Sequence, residues 1–521
     1  MVVRSCAVLE EAERARPLPH PFPGRPRASE KQAPAFAVGS APAASGPATG
    51  TGQPPQILQE NPQMDLHRAG KKVEGPERSA QGLYLSNDDS MSLASAQRIL
   101  YAIENFLPVY RNEIRPHEFL NYFQFQTLPV EGSRPFSVKL DRAERENGMT
   151  VALAVQGRTL SLAERRPAVL TLVVDKSGSM AAQGKMEYLR EGLKLLKAQL
   201  KDGDVLNIVE FDHEVCNAVE GMTVGRDGWS GYDRTVDELA PRGSTDLHAG
   251  LVEGYRLAEK FRDAGKINRV LLITDAIANT GELSPELMAS IGKYYDTQRI
   301  GLSGIGVGLD FNDELLDTLT ERGKGAYLFL GLRDALPKVF GAQFVSLLET
   351  VARDVHFHAT FPKGLNLDVF YGEEVSTDKS KVQAIHYFAG SSQLFLLDLK
   401  GKPENEKTLS LKIEYTDPVT LEAKSDSFPF TLADAAAIPS PNVAKARLLM
   451  AFAGLLEQTS LPGSRPYNDW SRRFTPEPTL ATEGKKKCTD ALAEMTRYRD
   501  LATDAESAYA LQLAQKYCAR F

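Results

Sequence analysis

The sequence predicts an α/β protein: a doubly wound, mostly parallel sheet inserted in, or flanked by, an antiparallel β-sandwich, with a C-terminal helical segment. Three observations lead there. Over 167–346, short β-branched runs alternate with amphipathic helical stretches, the pattern of a parallel sheet covered by helices on both faces. Before 167 and over 347–435, apolar residues recur at every second position, as on strands with one buried face. Beyond 436 the spacing becomes helical.

The 521 residues exceed one compact domain and suit two to four, at roughly 100–200 residues each. With 42% apolar and 25% charged residues, a wholly disordered chain, a collagen and a coiled-coil rod are excluded. The net charge of −7 supplies no basic field for nucleic acid, which needs clustered Lys and Arg. The densest basic run, Lys485-Lys486-Lys487, is short. No apolar stretch reaches bilayer length; the most apolar helical run, 448–456, falls far short. The first residues lack the apolar core of a secretory signal, so the chain is expected to stay where it is made, unless its true start lies elsewhere.

Residues 1–90 are expected to be a disordered tether. The first 80 hold 12 of the 30 prolines, mixed with Ala, Gly and Ser, and cannot bury enough apolar surface to offset ordering. The alternative is a Pro-rich ligand for another domain. Cys6 falls in this stretch. Residues 91–166 hold a helix at 93–106, with Ile99, Ile103 and Phe106 on one face. An aromatic-rich segment at 115–125 and strands at 135–141 and 149–156 follow. In 167–346, the continuous apolar run 169–175 reads as a strand covered on both faces. A helix at 185–200, a strand at 204–211, a helix at 245–261 and strands at 269–275, 300–308 and 326–330 follow, with Cys216 near a strand.

Over 347–435, six strands are expected at 356–361, 367–371, 382–388, 393–399, 408–415 and 427–432; Leu409, Leu411, Ile413 and Tyr415 share a face. With the two strands before 167 they make about eight. Strands of one type on both sides suggest that the α/β domain is inserted in one sandwich; two separate β units are the alternative. In 436–521, a helix at 443–458 precedes a helical hairpin of 488–501 and 505–521. Cys488 and Cys518 are equidistant from its turn near 503. They can form a disulfide, which implies an oxidising compartment, or serve as two small packing residues.

The sharpest motif is Asp175-Lys176-Ser177-Gly178-Ser179-Met180. It closes the first parallel strand, at the sheet edge where α/β folds place ligands. Its carboxylate and two hydroxyls are hard oxygen donors suited to Mg²⁺, with Mn²⁺ or Ca²⁺ as alternatives. A lone copy would be a helix cap. Here Gly243-Ser244-Thr245-Asp246 brings another hydroxyl and Thr274-Asp275 another carboxylate to the same edge.

These elements, in this order, resemble the von Willebrand factor type A domain over about 167–345. The resemblance implies a metal-ion-dependent adhesion site in which Ser177, Ser179 and Thr245 contact the metal and Asp175 and Asp275 bind it directly or through water. The flanking regions, through 117–125 (HEFLNYFQF) and 267–281 (INRVLLITDAIANTG), look like a bacterial subgroup with a conserved segment before the domain and a conserved module after it. That resemblance leans towards the cell envelope or periplasm; the missing signal leans towards the cytoplasm. Two positions depart from the family. Ala276 stands where Gly is usual, at a cost of roughly 1 kcal/mol if φ is positive there. Lys176 could fold into solvent or lie near the metal and weaken it.

The expected function is metal-dependent protein binding. Five protein groups and waters leave a coordination position for an Asp or Glu carboxylate of a partner protein. The alternative is a structural or assembly subunit with a vestigial metal site, binding through the sandwich or the helical tail. No catalytic motif of the P-loop, zinc-protease, nucleophile-elbow or Cys-x-x-Cys type occurs, so no enzyme is expected. Ser177 or Ser179 as nucleophile would need a poised His213 or His248, which nothing in the sequence orients. His356-x-His358 reads as a solvated sheet face. Asp212-His213-Glu214 reads as a polar turn, with Asp212 in reach of the metal site's surroundings. Gly304, Gly306 and Gly308 read as tight strand packing. Oligomeric state is left open.

Overall fold

The computed structural model describes residues 1–4, 6, 70–87, 93–331, 333–342, 344–404, 407–432, 440–465, 474 and 478–521. The chain opens with strand β1 (Val2–Val3), then β2 (Lys71–Lys72), β3 (Gly82–Ser86), helices α1 (Ala94–Glu104) and α2 (Pro116–Tyr122), and the hairpin β4 (Phe136–Arg145) and β5 (Gly148–Gly157). An α/β run follows: β6 (Ala168–Asp175), α3 (Lys185–Leu196), β7 (Val205–Phe211), β8 (Val215–Thr223), α4 (Ser230–Glu238), α5 (Leu247–Lys260) and β9 (Ile267–Thr274), then α6 (Pro285–Thr297), β10 (Gly301–Val307), α7 (Asp313–Arg322), β11 (Tyr327–Leu330) and α8 (Phe344–Leu348). Strands then dominate: β12 (Thr350–Thr360), β13 (Leu365–Phe370), β14 (Glu374–Ser376), β15 (Ile385–Phe388), β16 (Ser392–Gly401), β17 (Thr408–Thr416) and β18 (Ala423–Thr431). Helices α9 (Pro441–Thr459), α10 (Pro478–Arg499) and α11 (Ala505–Cys518) close the chain.

The α/β run forms a seven-stranded sheet in the order β1-β8-β7-β6-β9-β10-β11. Strands β7, β6, β9, β10 and β11 are parallel, whereas β8 and β1 complete one edge antiparallel. Every residue of β6 is buried, as a strand covered on both faces requires. Helix α5 sits so close to the sheet that a Cβ at Gly254 would lie 2.2 Å from a methyl of Val173. Glycine at that point is a packing requirement.

Two further sheets form the sandwich. One runs β14-β3-β12-β17-β18 with β15 also on β12, the other β2-β13-β16-β5-β4. Their inner faces bury Phe136, Leu153, Phe357, Phe395 and Leu411, with Leu409, Ile413 and Tyr415 on the expected face of β17. Strand β5, before the α/β run, pairs antiparallel with β16, after it, from Ser392↔Gln156 to Lys400↔Gly148. The two flanks are therefore one sandwich, and the α/β domain is inserted in it.

Several expectations are corrected. The tether was expected up to residue 90, yet Gly82–Ser86 pairs with β12 and β14, Lys71–Lys72 pairs with β13, and Val2–Val3 pairs with β8. Leu83 and Leu85 are buried in the sandwich; an alternating stretch this short, following a Pro-rich one, is masked by its composition. Residues 5, 7–69 and 88–90, the rest of the expected tether, lie outside the described residues. Cys6 is joined to Cys216 in a disulfide, with Cα atoms 5.9 Å apart. Cys488 and Cys518 are likewise bridged, at 5.7 Å. Helix α1 stops at Glu104, so Phe106 is 42% exposed and leaves the face of Ile99 and Ile103. Helix α9 is buried on nearly all sides, wedged among α2, α10, α11 and the outer face of the second sheet. Among the described residues no helix is long and apolar enough to cross a membrane.

Candidate metal centre

Strands β6 and β9 run side by side and end together, which brings Asp175 and Asp275 to one sheet edge. The chain turns sharply after Asp175, and the Ser177 N–H donates to Asp175 Oδ1 at 2.8 Å. Thr274 Oγ1 donates to Asp175 Oδ2 at 2.5 Å. The Ser177 and Ser179 hydroxyl oxygens lie 3.0 Å apart. The second segment is tied to the first: Gly178 N–H donates to Gly243 O at 3.0 Å and Arg242 N–H to Lys176 O at 2.7 Å. The third is tied to the second: Asn279 and Thr280 N–H donate to Thr245 O at 3.2 Å, and Thr245 N–H donates to Asn279 Oδ1 at 2.8 Å. The three remote stretches thus meet through backbone hydrogen bonds that do not depend on side-chain freedom.

Asp175, Ser177 and Asp275 are wholly buried, and Thr245 is 1% exposed. Ser179 is half-buried and Gly178 and Gly243 are exposed, so the cluster can be approached over those residues. Burial, and then the charge of Asp275, push the Asp175 carboxyl up to about 7, against hydrogen bonds from Thr274 and Ser177 that hold it down. Thr245 Oγ1 is buried with no hydrogen-bond partner among the described residues, a loss that buried hydroxyls rarely bear. An unsatisfied hydroxyl, two hydroxyls in contact and two mutually repelling carboxylates form a set of hard oxygens that fits a divalent cation.

Lys185, the first residue of α3, also reaches this cluster. Its Nζ lies 3.0 Å from Asp275 Oδ2 and 2.5 Å from Asp310 Oδ1, with its side chain wholly buried. Burial works against its charge, but Asp275 and Asp310 hold its pKa above the ordinary lysine value. Gly308, at φ +86, makes room for the stem: a Cβ there would fall 2.2 Å from Lys185 Cε. The sequence reading took Lys185 only as a helix start. A signal was present, because the first turn of a helix is an unfavourable place for a cation and needs nearby carboxylates to hold one. Thr274, Asn279 and Asp310 were missed as parts of the cluster for lack of any such anomaly.

Ala276 adopts φ +54, the left-handed conformation that its replacement of glycine made a concern, yet its N–H still donates to Thr274 Oγ1 at 2.7 Å. Lys176 neither folds into solvent nor stands free beside the cluster. It is 4% exposed, and its Nζ donates to Glu210 Oε2 at 2.7 Å and to the Cys6 carbonyl at 3.2 Å. The disulfide-anchored N-terminus thereby contacts the motif loop. The Asp212 carboxylate accepts from Arg242 Nε at 2.6 Å and from Glu214 N–H at 2.8 Å, and its carbonyl accepts from Asp246 N–H at 2.7 Å. It therefore braces the Thr245 segment. His213 and Glu214 lie close enough to Asp212 to form a ligand trio, but Asp212 is already engaged by Arg242. His213 packs its ring against Gly243, and His248 lies half-buried on α5.

Elsewhere, His356 and His358 lie half-buried on β12 beside Tyr84, with ring centroids 6.2 and 4.6 Å away. Burial, then Lys379, brings the His356 imidazole down to about 4. The expected sheet face is thus partly solvated, with Tyr84 of the neighbouring strand β3 shielding part of the two rings. Gly306 packs against Phe311 with no space for a Cβ, and Gly304 packs tightly against Leu316. A second acidic group, Asp296, Asp354 and His386, is internally matched: Asp296 Oδ1 lies 2.8 Å from His386 Nε2 and accepts from Arg353 Nη2 at 2.7 Å.

The family model of the von Willebrand factor type A domain matches residues 168–329. Among curated proteins, "Uncharacterized protein YfbK" of Escherichia coli is 28% identical over 287 residues, covering 52% of this chain and 48% of YfbK. Inter-alpha-trypsin inhibitor heavy chain H3 of Mesocricetus auratus is 26% identical over 231 residues, covering 43% of this chain and 25% of the heavy chain. The aligned parts thus span about half or less of these relatives' lengths. The solved structure of a von Willebrand factor type A from Catenulispora acidiphila is similar at 15% identity and a TM-score of 0.46, covering 76% of this chain and 91% of that one.

Proposed function

Since the chain carries a von Willebrand factor type A domain at 168–329, we propose that it is a metal-dependent protein-binding module of the adhesion type, which grips an Asp or Glu side chain of a partner protein. Asp175, Ser177, Ser179, Thr245 and Asp275 would hold the cation, Mg²⁺ by preference and Mn²⁺ or Ca²⁺ as alternatives. When bound, the cation would supply an electrostatic anchor for the partner's carboxylate. The protein's own part is to hold the oxygens in place with backbone bonds and to leave an approach over Gly178, Ser179 and Gly243. The observations that carry this reading are the buried Thr245 hydroxyl, unsatisfied among the described residues on a loop segment tied to the motif loop, and two carboxylates that repel each other at the same sheet edge. We infer no catalytic role: the Ser177 hydroxyl meets that of Ser179. The two disulfides support an oxidising compartment.

One observation favours a second reading. Lys185 already neutralises Asp275 from within, which suits an assembly subunit whose metal site is vestigial and whose partner binds the sandwich or the helical tail. Calorimetry with Mg²⁺, Mn²⁺ and Ca²⁺, followed by affinity capture in Mg²⁺ against EDTA with wild type beside Asp175→Ala, separates the two. Cation uptake, and a partner lost in EDTA and in the variant at unchanged melting temperature, support the first. No uptake, with the partner retained, supports the second.

A further inference from the structure

At the sheet edge opposite the acidic cluster, where β9 and β10 begin, a cavity of about 50 Å³ opens between the α/β domain and the sandwich. Its charged lining consists of Arg166, Arg262, Lys266, Arg269, Arg299 and Arg353, with no carboxylate among the lining residues. Two of the six are neutralised from behind: Arg166 by Glu349 and Arg353 by Asp296, each at 2.7 Å. The other four have no carboxylate within 4.0 Å among the described residues. Arg262 donates to Gln298 O at 3.2 Å and Lys266 to Gly203 O at 2.8 Å, and Arg299 has no side-chain partner among the described residues.

Arg269 is the centre of this group. It is 3% exposed and donates only to neutral acceptors, the Leu302 and Leu348 carbonyls at 3.1 and 2.9 Å and Thr350 Oγ1 at 3.0 Å. Its Nε–H is buried with no acceptor among the described residues. Gly301 makes room for the guanidinium on the cavity side, since a Cβ there would stand 2.6 Å from Arg269 Nη1. A buried cation with no carboxylate in contact is costly, and Asp296 and Glu349 act on it only from a distance. Burial, and then the repulsion of Arg353, bring the Arg269 pKa down to about 10.

We propose that this cavity is a binding site for a small tetrahedral oxyanion, a phosphate or sulfate group, held by Arg269 with Arg299, Arg262 and Lys266 around it. Planar guanidinium forks suit such oxygens. The volume is far below the roughly 300–1,000 Å³ of pockets for drug-sized ligands, so the group enters alone or as the tip of a larger molecule. The site uses none of the residues of the acidic cluster and stands or falls independently of it.

The test is calorimetry on the full chain in EDTA, titrating inorganic phosphate, sulfate and phenyl phosphate against NaCl of matched ionic strength. Wild type is compared with Arg262→Gln/Arg299→Gln, with Gly301→Ala and with Asp175→Ala. Arg262 and Arg299 have no ion pair to lose among the described residues, so that double variant should fold with an unchanged melting temperature in chloride. One bound oxyanion per chain is expected, weakened at least ten-fold in the double variant and in Gly301→Ala, and unchanged in Asp175→Ala. Binding of inorganic phosphate without phenyl phosphate assigns the site to a free anion, and the reverse assigns it to a terminal phosphoryl group. Heats no larger than those of chloride, or equal affinity in wild type and the double variant, overturn the proposal.

Discussion

Replacing Lys185 with methionine removes one positive charge from a buried group that includes Asp275 and Asp310. At an effective dielectric of about 20, contacts of 3.0 and 2.5 Å correspond to gross attractions of roughly 5.5 and 6.6 kcal/mol. Desolvation of the ammonium takes back most of that. Breaking one partner out of such a group nevertheless costs about 3–5 kcal/mol, because the carboxylates stay buried without compensation. Counting Asp275 and Asp310 against Lys185, with Asp175 about half ionised at neutral pH because its carboxyl is pushed up to about 7, the local charge goes from about −1.5 to about −2.5 on substitution. A divalent cation should therefore stabilise the variant more than the wild type, through linkage to the folded state. The assay is urea unfolding of both proteins in EDTA and in millimolar MgCl₂. K185M is expected to lose about 3–5 kcal/mol in EDTA and to regain at least about 2 kcal/mol more than wild type when Mg²⁺ is added. A loss under about 1 kcal/mol in EDTA, or equal gains from Mg²⁺, refutes the reasoning.

Ala276→Gly should leave cation affinity, measured by calorimetry, within about three-fold of wild type. Relief of the left-handed conformation (about 1–2 kcal/mol) is offset by backbone entropy and one lost buried methyl, and the 2.7 Å bond to Thr274 holds the loop in either case. Cys216→Ser opens a ring whose ends are 210 residues apart. Loop-closure entropy sets an upper limit of about 5 kcal/mol on the loss, against about 4 kcal/mol for Cys518→Ser with its separation of 30, so Cys216→Ser should show the larger drop in denaturant midpoint. Burial pushes the Glu457 carboxyl up from 4.5 to about 7, with Arg111 opposing. The folded protein then binds more protons than the unfolded chain between those values, and stability falls as pH rises through the window. Glu457→Gln should flatten that slope and be the more stable protein at pH 8, by no more than about 3 kcal/mol and less after solvent screening; a variant with an unchanged pH profile contradicts this.

What could be read from the sequence follows from how local each signal is. The Asp175 motif was legible because strand, turn and oxygen spacing lie within about a dozen residues, and because Thr245 opens and Asp275 ends a segment that periodicity already marks. The insertion was legible only as a likeness of strand type; the β5–β16 ladder that establishes it joins residues more than 230 apart. Lys185 was seen as helix and missed as charge, since nothing in its own neighbourhood names Asp275 or Asp310 as its partners. Val2–Val3, Cys6 and Gly82–Ser86 were assigned to a tether because composition is an average: two apolar residues and one cysteine carry no weight among prolines, yet a sheet edge and a matching Cys216 suffice to hold them. The contact from Lys176 to Glu210 and the Cys6 carbonyl shows the consequence. A position that looked like a departure weakening the cation site is engaged by the very segment that composition had dismissed, so whether the motif loop keeps its shape depends on the N-terminal strand and its disulfide as well as on the five oxygens.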